Sequence, residues 1–463
     1  MRGFRLTEDS TTERLLFPEL FAKPVMLGFD QRQGSSDGGA VLLKAAERRY
    51  GLIDSMSGCL RDPRQAGKVD HSLRDLFAQR VFSIGCGYAD ANDSARLASD
   101  PMHKMLLGRD PITGLDMASQ PTLSRFENAV GPRQLYNMGA ALAESVIERH
   151  AQRLQHHARL VTIDLDPTDD PTHGAQQLSF FNSHYDNACY LPMMGFVTFN
   201  GEAEQYLCAA VLRPGNVTAA AGAVGILRRL MTLIRSSFPK ARIRVRLDGG
   251  FANPELLTFL DSEPGVEYVV AMASNAVLNR KAEEAMQVAR LLAGLTDRTE
   301  HVYGEARYAA GSWKQERRVI IKAEVVRAEG KEPKDNPRVV ITNMRQSPQW
   351  LYEKVYCQRG EIENRIKELH AMEIDRTSCS RFWANQFRVL LTAAAFVLMQ
   401  ELRLSAADTN CARAQVWTLR ERFLKLGARV VGSVRRLVVH LPQSFPFLAT
   451  FRHIALELGA SPG

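Results

Sequence analysis

Three acidic residues, far apart in the chain, have contexts suited to holding a divalent cation. Asp166 ends the alternating run Leu160–Asp166 (LVTIDLD), Asp248 ends a second, Ile243–Asp248 (IRVRLD), and Glu363 lies in YCQRGEIENRIKELHAM. An aspartate that ends a strand ordinarily caps the turn or helix that follows. A pair says more, because strand ends that neighbour in one sheet bring two anions to one edge. There they repel unless a cation lies between them. Hard oxygen donors select Mg2+ or Mn2+. Two such ions about 4 Å apart activate a water or a 3′-hydroxyl and stabilise the leaving oxygen of a phosphodiester.

In the third segment Ile362, Ile366 and Leu369 form an apolar stripe at helical spacing. Beside it Arg359, Glu363, Lys367 and His370 form a polar stripe. As plain structure this is an amphipathic helix with a charged ladder. As chemistry it offers one acid flanked by cations suited to phosphate. In the first strand Asp164 and Asp166 are two apart and point to the same side, so alternation does not choose between them. Asp166 is nearer the strand end, and Asp169 and Asp170 belong to the turn, solvated or supporting.

The elements that must position these acids can be traced along the chain. Residues 1–158 read as helical after an irregular start, with helical apolar spacing in Ala40–Arg49, Leu73–Ser83 and Leu135–His150. From Arg159 the texture changes. Val161, Ile163 and Leu165 face one way and Thr162, Asp164 and Asp166 the other, as a strand requires. Strands are predicted over Ala188–Phe199 and Gln205–Leu212, divided by the hairpin signal Asn200-Gly201. A helix over Ala219–Arg235, the strand Ile243–Asp248, a helix near Pro254–Leu260 and a strand Val266–Ala271 follow. Three strands and then alternating helices and strands are the layout of an α/β, ribonuclease H-like core.

That core comprises residues 159–274 and 351–405. Between them, residues 275–350 read as a β-rich insertion: a helix (Ala282–Leu292), then strands Val302–Tyr308, Arg317–Arg327 and Val339–Asn343. Helix resumes through Glu361–Met372 and Gln386–Leu402. Residues 406–463 read as a basic helical region, with seven Lys/Arg against two Glu from residue 415 onward.

Bulk composition narrows the classes. The 463 residues are 45% hydrophobic and 24% charged, which is ordinary for a globular chain. A net charge of +8 favours a polyanionic partner, because cations that neutralise phosphates release counterions. The seven cysteines are scattered and never spaced as Cys-x2-Cys, against a zinc site or disulfide framework and in keeping with a reducing cytoplasm. The opening MRGFRLTEDSTTERLLF lacks a secretory pattern. The longest apolar stretch, near Leu390–Met399, is too short and interrupted to span a bilayer, so no membrane role is expected.

At its acids the chain resembles the DDE transposases of bacterial insertion sequences. In particular it resembles the branch with a Tyr-x2-Arg-x3-Glu-x6-Lys signature, the insertion-sequence thirteen-eighty group. Tyr356, Arg359 and Glu363 match in spacing. His370 stands where lysine is expected, with Lys367 one turn earlier as the other cation for phosphate. Asp166-Pro167-Thr168 fits the Asp-x-Thr of the first acid and favours Asp166 over Asp164. Asp248-Gly249-Gly250-Phe251 fits the strand-end aspartate and tight turn of the second. The resemblance runs through DQRQGSSDGGAVLL, HGAQQLSFFNSHYDNACYLP and DRTSCSRFWANQFR.

This resemblance implies a catalytic core using Mg2+ or Mn2+ held by Asp166, Asp248 and Glu363. Such enzymes bind double-stranded DNA at terminal inverted repeats, nick it and join the 3′ ends to target DNA by cut and paste, in this branch often through hairpin ends. It also implies a synaptic homodimer in the bacterial cytoplasm, on the nucleoid, with residues 1–158 serving end binding and dimerisation. The alternative is a transposase-derived DNA-binding protein that marks element ends without cutting.

Further DNA contacts are expected from Tyr356 and Arg359 near the scissile phosphate and from His173 shortly after the first strand. Arg125, on the polar helix Ser119–Asn128, suits a phosphate or the major groove. Trp313 on the insertion suits stacking on an extruded base. Each also has an ordinary role open to it, as a cap, an ion pair, a structural histidine or hairpin packing.

Overall fold

The structure is a computed structural model and describes residues 14–462. It opens with three short strands, β1 (Leu15–Phe17), β2 (Val25–Leu27) and β3 (Gly34–Ser35). Helices follow, among them α1 (Leu73–Gly85), α2 (Gln120–Ala129) and α3 (Pro132–Arg153). The Ser72 side chain caps α1 by accepting from Asp75 N, and α2 and α3 carry proline in their first turn, where a missing N–H is no loss.

From Leu160 the chain builds a sheet. Its elements are β4 (Leu160–Pro167), β5 (Phe180–Asn182), β6 (Asn187–Tyr190), β7 (Met193–Phe199), β8 (Tyr206–Val211), α4 (Ala223–Ser237), β9 (Arg242–Leu247), α5 (Pro254–Ser262) and β10 (Val266–Met272). β7 pairs antiparallel with β4 and β8, whereas β9 lies parallel between β4 and β10. The order β8-β7-β4-β9-β10 is a meander joined to parallel strands, compatible with the expected ribonuclease H-like layout. Val161, Ile163 and Leu165 are fully buried, as their alternation requires.

Two expectations change here. Ala188–Phe199 is two strands rather than one. The break falls at Leu191-Pro192, where proline has no N–H for a ladder, and β6 pairs with β5 outside the main sheet. Residues 275–350 interrupt the sequence but extend the sheet. After α6 (Ala276–Thr296) come β11 (Glu300–Tyr308), β12 (Arg317–Val326) and β13 (Arg338–Thr342). β13 pairs antiparallel with β10 and the sheet continues through β12 to β11. Val339, Val340 and Ile341 are all buried, as in a strand covered on both faces.

Last come α7 (Glu361–Ala371), α8 (Phe382–Ser405), and the strands β14 (Ala428–Gly432) and β15 (Leu437–His440). α8 is longer than the stretch read from sequence. By length and composition it could cross a membrane, yet it is almost entirely buried inside the protein, against β8, α1 and α3. Its Gln386 and Gln400 side chains accept from Leu212 N at 2.6 Å and Leu207 N at 3.1 Å, satisfying amides on the open side of β8.

The C-terminal region is not purely helical, which corrects the expectation. β14 and β15 form a hairpin, and β14 pairs with β3. The β-branched pairs Val430-Val431 and Val438-Val439 favour strands over helix, a signal masked by the basic residues around them. Gly39 packs so close to the Phe423 carbonyl that a side chain there would collide with it. One apolar core runs through the N-terminal helices, the sheet and the C-terminal region.

Candidate active site

β4 and β9 run parallel with Arg246 opposite Asp164, and two residues on the same register brings Asp248 beside Asp166. Asp248 performs the ordinary capping role with one oxygen: Oδ1 accepts from Gly250 N at 2.9 Å. Its Oδ2 faces the site. The turn needs Gly250, since a Cβ there would lie 2.7 Å from Ala219 Cβ. Glu363 comes from the exposed first turn of α7.

The run leading into α7 is irregular, a π-helical turn over Leu351–Tyr356 and a 3-10 turn over Cys357–Gly360. Such turns are frequent at functional sites. This one carries Arg359 into the interior. Its Nη2 lies 2.6 Å from Asp166 Oδ1 and 3.6 Å from Asp248 Oδ2.

Burial, opposed by the Arg359 guanidinium and reinforced by the Asp248 and Glu363 carboxylates, pushes Asp166 up to about 7. Asp166 therefore lies within electrostatic reach of both other acids. The guanidinium stands between the two aspartates, a position already favourable to positive charge. An all-carboxylate donor set with a cation standing between two of its members fits Mg2+ or Mn2+.

Asp164 points to the same face but is already committed. Arg246 donates to it through Nε at 2.8 Å and Nη2 at 2.6 Å, and Gln205 Nε2 donates at 2.8 Å. The pair is buried and structural. Asp170 is not solvated either. It is buried, which pushes it up to about 8, and the Thr377 hydroxyl lies 2.9 and 2.8 Å from its two oxygens.

Of the remaining candidates, Tyr356 is half-buried beside Tyr352, with ring centroids 5.4 Å apart, and burial, opposed by the Arg359 charge and helped by Asp248, raises its pKa. Both nitrogens of His370 are engaged, Nδ1 with Asp375 Oδ2 at 3.0 Å and Nε2 with Thr168 Oγ1 at 3.1 Å. The Asp375 hydrogen bond holds the imidazole above its ordinary pKa. His370 thus ties α7 to the loop after Asp166. Lys367 is exposed and has no acidic partner among the described residues.

The other candidates lie apart from the acids. His173 is exposed in a loop. Trp313 packs edge-on against Tyr308 at 5.4 Å, and the Arg317 guanidinium covers one face of its ring at 4.9 Å. Arg125 is exposed on α2, lining a cavity of about 850 Å³ with Arg61, Arg64 and Lys68 and the acids Asp62 and Asp70, of which Asp62 pairs with Arg64.

A cavity of about 630 Å³ opens on Asp166 and Asp248, and Phe181, His184 and Tyr185 from the β5–β6 hairpin line it. Sequence reasoning missed these three. The signal was the turn-forming Ser183–Asn187 between two short strands, with Asp186 taking a left-handed φ of 53°.

Elsewhere Asp37, Cys86 and His103 meet in the interior, a grouping the scattered cysteines did not suggest. The Asp37 carboxylate is shared by His103 Nε2 at 2.9 Å and Lys425 Nζ at 2.9 Å, and burial keeps the Cys86 thiol protonated. With an ammonium already on the acid, this is an internal polar cluster that fastens the C-terminal region to the N-terminal one.

No curated protein matches the chain. A family model described as Transposase DDE domain group 1 matches residues 17–462, a span holding all three acids and both regions flanking the sheet. The chain therefore belongs to the transposase DDE domain family, group 1.

Proposed function

We propose that this transposase is the metal-dependent enzyme of an insertion sequence in the Tyr-Arg-Glu-Lys branch, cutting DNA at terminal inverted repeats and joining the freed ends to a target. The observation that carries the reading is the Arg359 guanidinium held between Asp166 and Asp248, with the Glu363 carboxylate near enough to raise Asp166 further. Asp166, Asp248 and Glu363 are the residues that would hold Mg2+ or Mn2+. When bound, such ions supply Lewis-acid stabilisation of phosphodiester oxygens and a nucleophile at neutral pH.

The chain's own groups do the rest. Arg359 is a planar donor suited to a phosphate oxygen. Lys367, one turn beyond Glu363, offers a second positive charge. Tyr356 holds the Arg359 side of the cleft, and Thr168 and His370 keep the strand end and α7 together. Phe181 and Tyr185 narrow the cavity and exclude water. Arg125 and its basic neighbours suit the phosphates of a bound end, and two copies would pair two ends.

The test is cleavage of an end-containing duplex in Mg2+ and in Ca2+ by the full chain and by Asp166→Ala, Asp248→Ala and Glu363→Ala. Each variant should bind DNA as the parent does and cut it at least about a thousandfold more slowly. Substantial cutting by any of them removes that residue from the site. Binding without cutting by the parent chain in every divalent ion tried would leave only a marker of element ends.

A further inference from the structure

Residues 14–30 differ from the rest of the surface. β1 and β2 pair with Leu15 opposite Leu27, Leu16 opposite Met26 and Phe17 opposite Val25. Alternate side chains on such a ribbon point to opposite faces. Here both faces are apolar and open to solvent, and the exposed run continues into Phe21, 74% exposed, and Phe29, 92% exposed. A two-stranded hairpin alone is marginal in water, and contiguous exposed apolar surface on this scale ordinarily marks an interface.

Two properties of the arm indicate what covers it. Eight of its large apolar residues, Leu15 to Phe29, are 42% to 92% exposed, together a surface of the order of the roughly 800 Å² that each partner gives to a standard stable interface. Its charges also cancel. Arg14 pairs with Asp30 at 3.0 Å, and Glu19 offsets Lys23. A neutral apolar ribbon has no cation to spare for phosphate, which excludes DNA as the cover.

The same chain carries a matching surface. α6 buries Ala282, Met286, Ala289 and Ala293 against the sheet, while its outer side presents Val288, Leu291, Leu292 and Leu295. Leu291 is 68% and Leu295 83% exposed. This is the spacing of a helical docking face. Since arm and helix face are both open to solvent within one chain, neither covers the other there.

We propose that residues 15–29 form an exchange arm that seats on the outer face of α6 in a second copy of this chain, each copy giving and receiving one arm in a closed two-fold dimer. This names the surface for the paired copies invoked above. The test uses no DNA, so it can fail while the cleavage reading stands, and the reverse.

Sedimentation equilibrium of the full chain over a wide concentration range should find a dimer. Phe21→Asp/Phe29→Asp and Leu291→Asp/Leu295→Asp should each weaken it about a hundredfold or more, with unchanged circular dichroism. All four side chains are exposed, so folding is not at stake. Mixing the two variants should recover dimer, because the intact arm of one meets the intact helix face of the other. A monomeric parent chain overturns the proposal, as does a variant that dimerises like the parent or a mixture that stays monomeric.

Discussion

The Arg359 guanidinium lies 2.6 Å from Asp166 Oδ1 and reaches toward Asp248, so one side chain from the turn before α7 offsets the charge of two strand ends. If that guanidinium holds the place of a metal ion and then turns to phosphate, removing it should separate two properties. Arg359→Ala should cut DNA about 100- to 1,000-fold more slowly, the scale of losing one preorganised donor. Its affinity for Mn2+, followed by electron paramagnetic resonance, should be no weaker than the parent's. Equal loss of both would make Arg359 a scaffold for the acids only.

The high pKa of Asp166 has a direct consequence for metal binding. A carboxylate titrating at about 7 must shed a proton before it can coordinate. Apparent Mn2+ affinity should fall about tenfold for each pH unit below 7 and level off above it. Titration calorimetry from pH 5.5 to 8.5 reads this slope, and a flat profile would mean that Asp166 takes no part.

Asp164 and Asp166, two residues apart on one strand face, should respond oppositely to truncation. Asp164→Ala leaves the buried Arg246 guanidinium without its partner, a loss of about 3–5 kcal/mol. Asp166→Ala removes a charge that burial disfavours, and Arg359 keeps Asp248 at 3.6 Å as a partner, so the metal-free protein should be at least as stable as the parent at pH 8. Urea unfolding of the two variants side by side decides between these outcomes.

Asp170 gives a pH test away from the acids. Its folded pKa, about 8, lies above the ordinary aspartate value, so its contribution to stability is fully present below about pH 4. That contribution is lost as pH rises toward 8. Asp170→Asn keeps an acceptor for Thr377 without the ionisation. Its Tm should match the parent's near pH 4 and exceed it by several degrees near pH 9, and a constant offset at both pH values would contradict this assignment.

Much of the fold is legible from alternation. Leu160–Asp166 and Ile243–Asp248 alternate apolar and polar residues, although the first strand is buried on both faces. Alternation says nothing about which of two aspartates on one face is free. That depends on Arg246, which is far away in sequence and adjacent in space. The β5–β6 hairpin at the cavity is hard to read for another reason: its strands are short and half-exposed, so burial imprints no period on them. The C-terminal hairpin is hidden because its valines lie among arginines, and its partner strand near Gly34 is only two residues long.

That last pairing bears on how the chain comes into being. Gln33 accepts from the Arg429 side chain across a separation of 396 residues, and Val430 N donates to the Gln33 carbonyl. At a synthesis rate of about 5–20 residues per second, the segment around Gln33 waits tens of seconds for its partner to leave the ribosome. A nascent chain thus leaves the amino-terminal helices unsealed until the segment around Val430 has emerged.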